Sequence, residues 1–180
     1  MPISSSDIKY KYSVKTGAAG NTTAGTAAGS LGKYISTTEI TTGTLNNLFD
    51  DVTAAENAAL DVEYRCIFVH NSHATITLTD AVVWVKEEVA GGCGVAIAVD
   101  NIAASAIGSA DAQADDVADE STAPDGVGGF STPASKAAGL ALGDIAAGYC
   151  RAVWIRRTAT NSAAMNNDGA TIRVEGNTVT

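Results

Sequence analysis

His70 and His73 lie three residues apart, and Cys66 precedes His70 by four. Imidazole and thiolate groups bind zinc, but a zinc site needs three or four such ligands converging on one point. Cys66 and His70 would share one face of an extended strand, yet no second pair at ligand spacing follows. The histidines therefore read as turn and strand-end residues. The acidic run DAQADDVADEST, residues 111–122, raises calcium instead. An EF-hand loop requires glycine at its sixth position and a bidentate glutamate at its twelfth. Here those positions hold Asp116 and Thr122. The run fails that test and reads as a solvated acidic loop, leaving room only for a weak, irregular calcium site. No metal or organic cofactor is expected.

The second chemical signal is VWIRRT, residues 153–158, where an apolar run ends in Arg156 and Arg157. Neighbouring strand residues point to opposite faces, so the two cannot join one clamp unless the strand ends or bulges there. A strand end is the economical reading. One arginine lays its stem over an apolar edge, and the other reaches a carboxylate on this chain or on a neighbour. No nucleophile elbow, phosphate-binding glycine loop or dinucleotide fingerprint occurs. A glycosidase would need two carboxylates at a set separation, and the sequence nominates no such pair. An enzyme is not expected.

Composition narrows the partners. Eleven lysines and arginines stand against 20 acids, a net charge of −9. That balance opposes nucleic acid and anionic membranes, because a duplex-binding surface concentrates about six to ten phosphate contacts. The N-terminus has no apolar signal-peptide core, and no segment is long and apolar enough to span a bilayer. Cys66, Cys93 and Cys150 are few, odd in number and far apart, which argues against a disulfide framework and for a reducing compartment.

The elements that must position these groups are short strands. IKYKYSV alternates, with Ile8, Tyr10, Tyr12 and Val14 opposite Lys9 and Lys11. KYISTTEI, VEYRCIFVHN, TITLT, AVVWVKEEV, VAIAVD, CRAVWIRRT and TIRVEG follow as strand candidates. The short connection NSHA predicts a hairpin between VEYRCIFVHN and TITLT. The last two candidates predict a second hairpin with a longer loop around Asp168-Gly169. Leu45, Leu48, Phe49 and Val52 recur at helical spacing and predict a short helix within 45–59. A helical turn is expected near 111–119, and Gly143 and Gly148 mark a turn-rich stretch. The expected organisation is an N-terminal strand (1–15), an extended arm (16–32) and a β-sandwich domain (33–180) with a long inserted loop (101–136). The fold class is all-β, a sandwich or jelly roll with small-residue arms. Tyr64, Phe68, Ile76, Leu78, Trp84, Ile97, Trp154, Ile155, Ile172 and Val174 are the expected core.

VEYRCIFVHN with ITLTDAVVWV, LGDIAAGYCRAVWIRRT and the closing NDGATIRVEG resemble segments of small structural proteins of tailed bacteriophages. The likeness covers about residues 61–99 and 140–176 and is one of segment pattern. It implies a virion component assembled in the host cytoplasm. The first expectation is a capsid decoration or cement protein that binds the major capsid protein and copies of itself as a homo-oligomer. A tail or baseplate subunit is the alternative, and a carbohydrate-binding sandwich module comes third. The arms 16–32 and 101–136 hold too few large apolar groups to offset backbone entropy, so they are expected to be partner-binding or partner-ordered segments that exchange amide hydrogens fast in the isolated protein, the missing stabilisation coming from other subunits or from close packing on the sandwich. Lys9, Lys11, Arg156 and Arg157 are the expected charged rim of partner contacts.

Overall fold

The computed structural model describes residues 2–178. It is an all-β sandwich of two antiparallel sheets. The strands are β1 (Ile8–Val14), β2 (Tyr34–Glu39), β3 (Val62–Asn71), β4 (Leu78–Glu88), β5 (Gly94–Val99), β6 (Ser105–Ala106), β7 (Leu140–Ile145), β8 (Tyr149–Thr158) and β9 (Ala170–Thr178). One six-residue helix, α1 (Ala54–Ala59), interrupts them. The larger sheet runs β2-β1-β3-β8-β5, with β6 also on β8; the smaller runs β7-β4-β9.

The two expected hairpins do not form. β3 is already flanked by β1 and β8, and β8 by β3 and β5, so neither has an edge left for its successor in the chain. β4 and β9 cross to the other sheet and pair with each other, Val83 opposite Val174. The crossing after β3 is held by Asn71. Its buried side-chain amide donates to the carbonyls of Ile76 (2.8 Å) and Ile145 (2.9 Å). TITLT is not a separate strand: pairing starts at Leu78, and β4 absorbs AVVWVKEE across a register shift at Asp80, whose φ is 49°.

The helix within 45–59 shrinks to Ala54–Ala59; Asn46 near its expected start takes a left-handed φ that a helix cannot propagate. Leu48 and Phe49 instead pack against the inter-sheet core. No helix forms at 111–119, and the turn-rich stretch around Gly143 is β7, with Gly143 at φ 72° inside it.

Ile67, Val69, Val153, Ile155 and Ile97 face Val83, Val85, Leu142 and Ile145 between the sheets. The opposite face of the larger sheet is equally dry. Cys66, Phe68, Ala152 and Trp154 lie there under Ala114 and Val117, with Leu31, Ile107, Val127 and Phe130 around them. Of the expected core, Phe68, Leu78, Trp84, Ile97, Trp154 and Ile155 are buried, whereas Tyr64, Ile76, Ile172 and Val174 are half-buried.

The covering layer comes from the two small-residue segments, which pack on the sandwich itself. Residues 16–32 run along β2, with Asn21 N–H donating to Ile35 O (2.6 Å) and Thr37 N–H to Thr23 O (2.9 Å). Beyond the end of β1 the two segments extend the pairing of β3: Cys66 N–H donates to Ser30 O and Tyr64 N–H to Glu120 O, both at 2.7 Å. Glycine permits this closeness. A Cβ on Gly32 (φ 93°) would stand 1.9 Å from Asp115 O, and one on Gly20 would stand 2.1 Å from Gln113 Oε1.

Candidate functional site

The four expected rim cations do not converge. Strand register sets Lys9 level with His70 and Cys150, and Arg156 level with Tyr64 and Ala96, towards opposite ends of the sheet. Lys9 is half-buried and pairs with Glu39 at 3.5 Å. Lys11 is buried beneath the first arm and donates to Asn21 Oδ1 (2.8 Å). Burial pushes its ammonium below the ordinary lysine value, against an opposing pull from Glu39. Arg156 lies on the Trp154 face, its guanidinium 5.3 Å from the centre of the Phe130 ring. Arg157 lies on the Ile155 face and is buried. Its Nε donates to Glu63 Oε2 at 2.6 Å, it reaches Asp50, and it stacks 4.8 Å from the centre of the Phe49 ring. Arg65, also buried, pairs with Glu120 and shares the Phe49 ring. The arginine doublet thus divides between the two faces of β8.

Cys66 and His70 share a face, but four residues along one strand separate them by roughly 13 Å. His73 Nδ1 accepts from Thr75 N–H (3.1 Å) and Ile76 N–H (3.0 Å), so that ring holds the turn. Acids of the insert also work within the chain. Asp100 Oδ2 accepts from Trp154 Nε1 and from Asp115 N–H, and Asp115 Oδ2 accepts from Asp125 and Gly126 N–H. Among the described residues one carboxylate group has cation spacing: oxygens of Glu56, Asp61 and Glu63 within 4.8 Å of one another. Two of these are committed. Glu56 caps α1 by accepting from Thr53 N–H (2.6 Å), and Glu63 holds Arg157.

A different region stands out at one end of the sandwich, where β3 and β5 begin and β4 and β8 end. Three loops meet there. Asn57 Nδ2 of α1 donates to Ser162 O (2.8 Å), and Ala159 N–H donates to Asp61 O (2.8 Å). Thr160 Oγ1 donates to Gly92 O (2.9 Å), Cys93 N–H to Asp168 Oδ2 (2.7 Å) and Val89 N–H to Gly169 O (3.0 Å). These bonds join the loops into one surface. On it stand Leu60 (53% exposed), Met165 (40%) and Val89 (37%), three of the five large apolar side chains that the described residues leave exposed. Ala58, Ala59, Ala90, Ala163 and Ala164 are exposed beside them.

Leu60 closes α1 in the left-handed conformation (φ 57°, ψ 42°). Glycine or asparagine is the usual occupant of that position, and a leucine there costs about 1–2 kcal/mol. Strain and exposure therefore fall on one side chain. The surroundings are acidic: segments 41–61, 86–93 and 159–169 contain seven carboxylates and one lysine, and with Glu63, Arg156 and Arg157 at the adjoining strand ends the count is eight carboxylates against three cations. The sequence hid this surface because its apolar residues are isolated in three separate loops, and only strand order brings them together.

Two grooves on the surface are open to solvent. One of about 320 Å³ lies beside β7, lined by Leu140, Ala141, Gly128 and Arg151. Another of about 280 Å³ adjoins the acidic end, between Glu88, Arg156, Thr132 and Thr160. No protein-family model, curated protein or solved structure matches this chain.

Proposed function

We propose that this chain is a non-enzymatic structural protein of a bacteriophage virion, a decoration or cement subunit on the outside of the capsid shell. The observation that carries the reading is the acidic end with its exposed Leu60, Val89 and Met165, fixed in place by bonds between three loops. Exposed apolar side chains held rigidly on one surface are what a docking face presents. The segment resemblance to small phage structural proteins supplies the setting. The packing of both arms on the larger sheet supports a subunit that arrives folded and binds as a unit.

Imaging assembled particles that carry a labelled version of this subunit tests the proposal. Density on the outer face of the shell is the expected result. Label at the tail or baseplate would move the protein to that part of the virion. Absence from the particle, together with saturable binding in a glycan screen, would replace the reading with a carbohydrate-binding module.

A further inference from the structure

We infer that the acidic end docks on a different protein, at an apolar socket ringed by lysine or arginine, with Leu60 as the inserted side chain. This rests on the reading of the chain as a binding subunit and adds the chemistry of its partner.

Charge decides between a second copy and another protein. Two acidic ends would repel each other, so a symmetric contact through this surface is disfavoured. A second copy has little else to offer. Six of the eleven cations are paired with carboxylates of the same chain: Lys9, Lys15, Arg65, Lys136, Arg157 and Arg173. Lys11 donates to Asn21 and Arg151 to backbone carbonyls, while Lys33 and Arg156 lie over aromatic rings. Lys86 alone is without a partner among the described residues, and it belongs to the acidic end itself. The complementary charge must come from another protein.

Leu60 is the residue to test, because function and stability pull it in opposite directions. Glycine relieves a left-handed backbone and removes an exposed apolar side chain, so Leu60→Gly should fold at least as well as the parent. It should lose the docking contact.

The probe is a synthetic amphipathic helix of leucine and lysine, titrated into the isotope-labelled full chain and followed by amide chemical shifts. The expected result is saturable shifts confined to 54–61, 89–93 and 159–169. Affinity should fall about tenfold in Leu60→Gly, the effect of losing one anchoring side chain. It should also fall as salt rises from about 50 to about 500 mM. No shifts, equal shifts in the acidic stretch 111–125, or unchanged affinity of Leu60→Gly would overturn the inference. So would self-association of the free protein through this end. Particle imaging is separable: a subunit seen on the shell with a silent acidic end defeats this inference alone. A responsive end on a protein missing from the particle defeats the virion reading alone.

Discussion

Trp154 Nε1 donates to Asp100 Oδ2 at 2.9 Å, with both residues fully enclosed. The indole lies on the outer face of β8, and the carboxylate closes the end of β5. Asp100 also accepts from Asp115 N–H (2.8 Å) and Ile102 N–H (2.9 Å), so one side chain ties the insert to the sheet. Asp100→Ala strands one buried donor, the Trp154 indole, and two half-buried backbone donors. The expected loss is about 3–5 kcal/mol in denaturant unfolding, given ~1–3 kcal/mol for each unsatisfied group and partial relaxation. Limited proteolysis should then cut within 101–130 first.

Glu63 and Arg157 form a buried pair between neighbouring strands. Arg157→Met leaves the buried Glu63 carboxylate without a counter-ion and should lose about 3–5 kcal/mol, whereas Glu63→Leu should lose less, because Asp50 still meets the guanidinium. The double substitution should recover most of that, since two apolar groups of similar volume leave nothing unpaired. A double-mutant cycle by urea unfolding checks this. Additive losses would show that the pair is not coupled.

His70 is buried, and its Nδ1 has no hydrogen-bond partner. Burial, reinforced by Lys11, holds the ring below its ordinary value. The unfolded chain therefore takes up this proton first. The stability involved is complete above the unfolded value of about 6.5 and is lost progressively as pH falls below it. Between about pH 7 and 5, the wild type should lose stability relative to His70→Gln. Parallel curves would mean that folding leaves the proton affinity of the ring unchanged.

Burial pushes the Cys150 thiol up to about 12 and the Cys66 thiol well above its ordinary value. Cys93 is half-buried, and burial together with Asp168 raises it less strongly. Thiolate is the reactive form, so an alkylating reagent at neutral pH should modify Cys93 slowly and the other two only on unfolding. Mass spectrometry of the native protein should show a single adduct.

Alternation in the sequence located most strands, since period two is imposed by the pleat wherever a face is buried. It did not locate their partners. NSHA between β3 and Ile76 suits a hairpin and an inter-sheet crossing equally well, and what decides is whether β3 has a free edge. The Leu45–Val52 spacing misled because Leu48 and Phe49 fill a gap beside the core and under two arginines, without a helix. The insert was illegible for another reason. Its order rests on backbone bonds, on Gln113 spanning Ile35 N–H and Ala106 O, and on Asp100, none of which leaves a periodic trace. Lys11 and Arg157 looked like surface charges because their internal partners, Asn21 and Glu63, are distant in sequence.

The smaller sheet has a bearing on synthesis. β4 pairs with β7 and β9, and its Val85 N–H donates to Pro133 O, all of them made much later. A growing chain that has just emitted β4 holds Val83, Trp84 and Val85 with nothing to pair them. β3 can pair at once with β1, and only its other edge waits for β8. An open apolar half-sandwich therefore persists during synthesis until β9 has been made. A chain arrested after β8 should remain protease-sensitive at β4, while one extended through β9 on a tether should not.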